Sequence, residues 1–200
     1  MTDDAQRASV DDIVATFERP KRLWFRSECL AQPSPVPKVP GLYGWYFREL
    51  PPGVDGQGCA QASGYTLLYV GIAPSRALGV PGHASTSNLR SRIRQHCAGS
   101  AEGSTLRLSL GSLLASPLGL TLDPGRKSKS FGRGEAILSD WIGQNACLTW
   151  VEHPEPWSIE PSVISRLDLP LNLAHNRNHP FWPYLTEARS QLIRSKGTCA

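Results

Sequence analysis

Long apolar runs are missing from this chain, and none approaches the ~20 residues that a membrane-spanning helix needs, so no membrane partner is expected. Cysteine pairs are missing too. The five cysteines, Cys29, Cys59, Cys97, Cys147 and Cys199, are odd in number and scattered, with no CxxC, which argues against a disulfide framework and against a cysteine zinc site. A strong net charge is absent. Lys and Arg number 21 against 17 Asp and Glu, and the resulting +4 is too mild to identify a polyanion binder. The opening "MTDDAQRASVDDIV" is acidic and has no apolar h-region, so a cytoplasmic location is expected. With one Met, no repeat and no low-complexity tract, the composition is that of a globular protein.

What is present is turn chemistry. Gly (18) and Pro (17) are abundant, which implies many connections, while 40% apolar residues in 200 suffice for one domain with a core. "SVDDIVATFE" (9–18) spaces Val10, Ile13, Val14 and Phe17 at helical intervals behind a Ser or Asp cap. "AQPSPVPKVP" (31–40) holds four prolines and reads as an extended connector. "GLYGWYFREL" (41–50) and "YTLLYVGI" (65–72) are strand-like on either side of turn residues, and together predict a hairpin. "STSNLRSRIRQHC" (85–97) predicts a helix on which Arg92 and His96 border the apolar stripe of Leu89, Ile93 and Cys97.

The stretch 105–118 is ambiguous between helix and strand, and "GLTL" (119–122) is expected to pair at a sheet edge. "GEAILSDWIGQN" predicts a helix, "ACLTWVEH" a third strand, "WSIEPSVISRLDLPLN" a helix with Pro161 at its first position, and "YLTEARSQLIRS" a last amphipathic helix. This order makes an α+β domain with a small three-stranded sheet. The expected organisation is an N-terminal helix and connector (1–40), a central domain (41–176) carrying an atypical inserted helical segment (98–145), and a C-terminal helical extension (177–200).

Charge is segregated along the chain. Arg76, Arg90, Arg92, Arg94 and Arg107 face Glu102 alone between residues 72 and 108, and "RKSKSFGR" (126–133) adds four cations. A basic face of this kind suits a polyanion, and a solvated surface is the competing explanation.

Four features line up in chain order: "GLY" (41–43), "YVG" (69–71), the helix with Arg92 and His96, and Glu160 followed twelve residues later by Asn172. In this the sequence resembles the GIY-YIG nuclease family, whose signature tripeptides lie on adjacent strands of a small antiparallel sheet. The resemblance spans roughly residues 40–175. It implies an endonuclease that hydrolyses DNA phosphodiester bonds with one divalent ion, Mg²⁺ or Mn²⁺. Glu160 would bind the metal, Arg92 would steady the scissile phosphate, Tyr43 or Tyr69 would activate water, and His96 would assist. Asn172 would hold the site together, and Gly41 and Gly71 would allow close backbone approach. Arg76, Arg90, Arg94, Asn176 and Arg177 are candidate DNA contacts, and dimerisation would suit a double-strand cutter. Excision-repair members carry Lys directly after the second signature glycine, where this chain has Ile72.

The residue types suit that chemistry on their own terms. Phosphodiester hydrolysis needs an activated water, neutralised nonbridging oxygens and help for the leaving alkoxide. A hard cation that keeps several waters needs few protein oxygens, so one carboxylate suffices, and the dipole at a helix start would favour its ionised form. Arg offers a planar fork to phosphate. A tyrosine, with a pKa of about 10, is a poor base unless a nearby cation draws its proton away. The competing readings are a catalytically idle nucleic-acid or protein binding module of the same fold, and a structural protein in which Glu160 is a helix-start acid and the tyrosines pack on a sheet.

Overall fold

The computed structural model describes residues 8–75, 87–125 and 129–196. Arg76 and the cations at 126–128 lie outside them.

Helix α1 (Val10–Glu18) starts at a capping box in which the Ser9 hydroxyl accepts from Asp12 N–H and the Asp12 carboxylate accepts from Ser9 N–H. It is followed by β1 (Trp24–Phe25), α2 (Arg26–Leu30), β2 (Gly41–Phe47), β3 (Gln61–Ala62) and β4 (Tyr65–Ala73). Then come α3 (Leu89–Ala98), α4 (Thr105–Leu113), α5 (Ala115–Leu118), α6 (Gly134–Asn145), β5 (Ala146–Glu152), α7 (Pro156–Ile164) and α8 (Trp182–Ser195).

The sheet is antiparallel throughout, in the order β1-β5-β2-β4-β3, so it has five strands where three were predicted. The two extra strands hold two residues each, too few to show any period-2 pattern. "GLTL" forms no strand, and 105–118 is helical.

Strand β2 is central and every one of its residues is buried, because helices cover both faces of the sheet. One face carries Tyr43, Trp45, Phe47 and Tyr69, packed with Leu89, Ile93, Leu106 and Leu138 from α3, α4 and α6. The other carries Leu42, Tyr46, Val70 and Cys147 against Ile13 and Phe17 of α1 and Val163 and Ile164 of α7. Each such buried side chain contributes about 1.5–3 kcal/mol before ordering costs. Gly44 is needed at this contact, since a Cβ there would lie 2.9 Å from the Phe17 ring.

The Pro-rich connector docks on α3. Leu89 and Arg90 N–H donate to the Val39 and Pro37 carbonyls, and Arg90 Nε and Nη2 donate to the Val36 and Ser34 carbonyls at 2.6 and 3.3 Å. Arg90 is therefore committed to the fold, although its sequence position suggested a solvated face. Arg107 departs further from that picture. It is fully buried, paired with the Glu135 carboxylate at 2.7 Å, and donates from Nη1 to the His96 carbonyl. Of the arginines expected on a basic face between 72 and 108, Arg94 is the one that stays exposed among the described residues.

Helix α7 also corrects the sequence reading. Pro156 stands at its start and Pro161 lies inside, which puts Glu160 in the second turn and away from the N-terminal dipole. Among the described residues no helix is long and apolar enough to cross a membrane. Cys29, Cys59, Cys97 and Cys147 are buried and unpaired.

Candidate functional site

Register sets the first part of the site. β2 and β4 pair so that Tyr43 faces Gly71 and Trp45 faces Tyr69, which brings both signature tyrosines to one face of the sheet. Gly71 has a definite reason to lack a side chain: a Cβ there would lie 2.5 Å from the Tyr43 hydroxyl and 2.9 Å from the Tyr69 ring. A Cβ at Gly41 would collide with the Val151 carbonyl and the Leu89 side chain, so its role is close packing of β5 and α3. Tyr43, Tyr69, Gly71, Arg92, Glu160 and Asn172 all line one cavity of about 430 Å³, joined by Ser75, Thr105, Trp157 and His175.

Helix α3 brings Arg92 and His96 under this face. It opens on a capping box between Asn88 and Ser91 and buries Leu89, Ile93 and Cys97, which fixes its rotation. Arg92 donates from Nε to the Tyr43 hydroxyl at 3.3 Å and from Nη1 to the Gly103 carbonyl at 2.7 Å. His96 does not line the cavity. It is 0% exposed behind Tyr43, with Nε2 2.7 Å from the Tyr43 hydroxyl and Nδ1 2.6 Å from the Ser104 hydroxyl. A residue that borders the apolar stripe on α3 becomes buried because α4 closes over it.

Burial dominates the electrostatics of this wall. It holds the His96 pKa well below the usual imidazole range, and the charges of Arg92 and Arg107 push the same way. Burial raises both tyrosines. For Tyr43 the strongest opposing influence is the Arg92 charge, followed by the Arg92 hydrogen bond. For Tyr69 the next influence after burial is Tyr43 itself, which raises it further.

The opposite wall comes from α7 and the loop after it. Glu160 is 18% exposed, and burial pushes its carboxyl above the usual range, with His175 opposing that rise. Its nearest cationic candidate is His175 Nε2, 3.9 Å away and held on a backbone with φ of 57°. Asn172 does not offer its amide to the cavity. Its Oδ1 accepts from Val70 N–H at 2.9 Å and its Nδ2 donates to the Val70 carbonyl at 2.8 Å, clamping the segment after α7 onto β4.

Among the candidate DNA contacts, Asn176 Nδ2 donates to the Leu169 carbonyl at 2.8 Å. Arg177 is exposed on a second cavity of about 960 Å³, which shares Leu173, Ala174 and His175 with the first. "HNRNHP" forms a crossing in which His179 Nε2 lies 2.6 Å from Asp168 Oδ1. Among the described residues no group of three or more His, Cys, Asp or Glu side chains could hold a metal ion. Sequence reasoning missed Gly103, Ser104, Thr105 and His175. The first three lie at the turn into α4, where no motif spacing announces them.

A family model for the GIY-YIG catalytic domain matches residues 41–191. No curated protein and no solved structure matches the chain.

Proposed function

The chain belongs to the GIY-YIG nuclease family, and on that premise we propose that it is an endonuclease that hydrolyses DNA phosphodiester bonds with the help of one divalent metal ion, Mg²⁺ or Mn²⁺. The observation that carries this reading is the convergence of Tyr43, Tyr69, Arg92 and Glu160 on a single cavity from β2, β4, α3 and α7.

Glu160 fits a metal. It is a half-enclosed carboxylate facing the cavity, its ionised form is penalised by burial, and among the described residues its one nearby counter-charge candidate is 3.9 Å away. With a single carboxylate and no cluster of ligands among the described residues, water and phosphate would complete the shell, which suits a hard cation such as Mg²⁺. A bound ion supplies Lewis-acid charge at the scissile phosphate and lowers the pKa of nearby water.

The remaining steps belong to the protein. Arg92 is oriented by its bonds to Tyr43 and Gly103, and its Nη2 has no protein hydrogen bond among the described residues, which leaves a donor for a nonbridging phosphate oxygen. Tyr43 accepts the water proton as its phenolate, its own proton having first passed to water in the cavity. Its oxygen lies within reach of Arg92 Nε and His96 Nε2, both able to stabilise that phenolate, and Tyr69 has no comparable pair of donors among the described residues. Trp157 and Leu173 add apolar surface to the cavity lining.

Incubation of supercoiled plasmid with the protein and Mg²⁺ or Mn²⁺ tests the reading. Wild type should nick or linearise the plasmid, and EDTA or Glu160→Ala should abolish this. Tight DNA binding without cleavage under any divalent metal would replace it with the idle binding module.

A further inference from the structure

We propose that Ser104 is a positioning residue of this site: its hydroxyl donates to Nδ1 of His96 and thereby fixes the imidazole as the Nε2–H tautomer, which donates to Tyr43. The inference rests on the nuclease reading for its consequence, although not for its geometry.

Donors and acceptors around the imidazole have to be matched without help from solvent. Ser104 is 1% exposed and His96 0%, so neither has bulk water to fall back on. A serine hydroxyl carries one proton and two lone pairs. The Arg107 N–H donates into one lone pair at 3.0 Å, as the cap of α4. The other contact of Oγ is His96 Nδ1 at 2.6 Å. If Nδ1 carried the hydrogen, Oγ would accept twice and its own proton would be left without an acceptor among the described residues, which a buried donor does not tolerate cheaply. If Oγ donates to Nδ1, the Ser104 hydrogen has its acceptor, and the Tyr43 hydroxyl hydrogen, displaced from Nε2, still has the Tyr69 hydroxyl and the cavity to turn to, an alternative that Ser104 lacks among the described residues. The imidazole hydrogen then sits on Nε2 and points at the Tyr43 hydroxyl 2.7 Å away.

The third possibility, an imidazolium with both nitrogens protonated, is disfavoured by the surroundings. The charged and titratable groups facing the ring are Arg92 from its own helix, Arg107 from α4, Tyr43 from β2 and Tyr69 from β4, and none of them is a carboxylate. Arg107 moreover donates to the His96 main-chain carbonyl and is neutralised by Glu135 on α6, so α4 and α6 hold both ends of the histidine.

A mechanistic consequence follows. With its hydrogen on Nε2 and Nδ1 occupied, His96 cannot take a proton from Tyr43. It acts as a fixed donor, and with Arg92 Nε it places two N–H groups on one phenolic oxygen. The Tyr43 hydroxyl hydrogen therefore points to the cavity side, and when Tyr43 ionises its proton passes to cavity water while the two N–H groups hold the charge on its oxygen. Ser104 caps α4, so the turn into that helix sets the protonation of the signature tyrosine's partner.

The test is ¹⁵N NMR of histidine-labelled protein. In wild type the His96 Nε2 should show the directly bonded proton and Nδ1 should appear unprotonated. Ser104→Asp caps a helix as well as serine but can only accept, so it should move a proton onto Nδ1. Ser104→Ala should lower kcat about 10–100-fold with little change in KM, and Ser104→Thr should recover most of the loss. A wild-type His96 protonated on Nδ1 would overturn the assignment, as would an Asp variant with the wild-type tautomer. The tautomer is read without any substrate, so an absence of cleavage would sink the nuclease reading while leaving the Ser104 assignment standing.

Discussion

The two walls of the cavity are built on opposite plans. On the Tyr43 wall, Tyr43, His96, Ser104 and Arg92 come from β2, α3 and the turn into α4, and they are joined by hydrogen bonds of 2.6 to 3.3 Å in a dry interior. On the Glu160 wall, a carboxylate from α7 faces a loop histidine 3.9 Å away and has no strong partner among the described residues. The first wall is finished by the protein, and its donors are oriented before any substrate arrives. The second is left unfinished, and a cation of the right size would complete it. Breaking each wall should therefore change different quantities.

The largest effect is expected behind the Tyr43 wall. Arg107→Ala takes from Glu135 its buried cation, leaving its charge held only by the Ala101 and Phe131 N–H groups and the Ser130 hydroxyl, and should cost about 3–5 kcal/mol of stability, measured by urea unfolding. Removing the proposed phosphate donor by Arg92→Ala should lower kcat about 100-fold while leaving DNA affinity within a few-fold, measured in single-turnover cleavage. Asn172→Ala leaves the buried Val70 N–H and carbonyl unpaired and should cost about 1–3 kcal/mol.

Protonation separates the walls by sign. The folded-state pKa of His96 is depressed, so below about 6.5 the unfolded chain binds a proton that the folded one refuses, and stability should fall as pH drops through that region. That acid slope should shrink in His96→Gln. Glu160 has a raised folded-state pKa, so its favourable contribution is present below the ordinary carboxylate range and is lost as pH rises through the raised value. Glu160→Gln should accordingly melt slightly higher than wild type at pH 7 without metal, and Mn²⁺ should raise the melting temperature of wild type alone. The smallest effect belongs to exposed Arg94, where Ala should change stability by no more than about 0.5 kcal/mol.

Much of this fold is legible in the sequence wherever a period runs long enough. The strands around Tyr43 and Tyr69, the α3 stripe of Leu89, Ile93 and Cys97, and the helix before Ala146 declare themselves through alternation, helical spacing and flanking turns. Strands β1 and β3 do not, because a pattern needs more than two residues. Helix α7 is placed late in the sequence reading because both Pro156 and Pro161 satisfy the preference for proline at a helix start.

Burial of charged groups is the least legible property. Nothing local to Arg107 announces Glu135, and nothing local to Arg90 announces the Val36 carbonyl, so two residues of an apparent basic face turn out to be structural. His96 is a similar case, since its helix leaves it at a margin and only α4 encloses it. Ser104 and His175 lie outside every motif, and their positions become meaningful only when the turn into α4 and the loop after α7 are seen against Tyr43 and Glu160.

The central claim is that the unfinished wall holds a metal that the finished wall uses to cut DNA. Single-turnover cleavage of supercoiled plasmid in Mg²⁺, run side by side for wild type and Glu160→Gln, tests it most directly. Cleavage by wild type that falls to background in the variant and in EDTA is the expected result. Equal rates in the two proteins would contradict the claim.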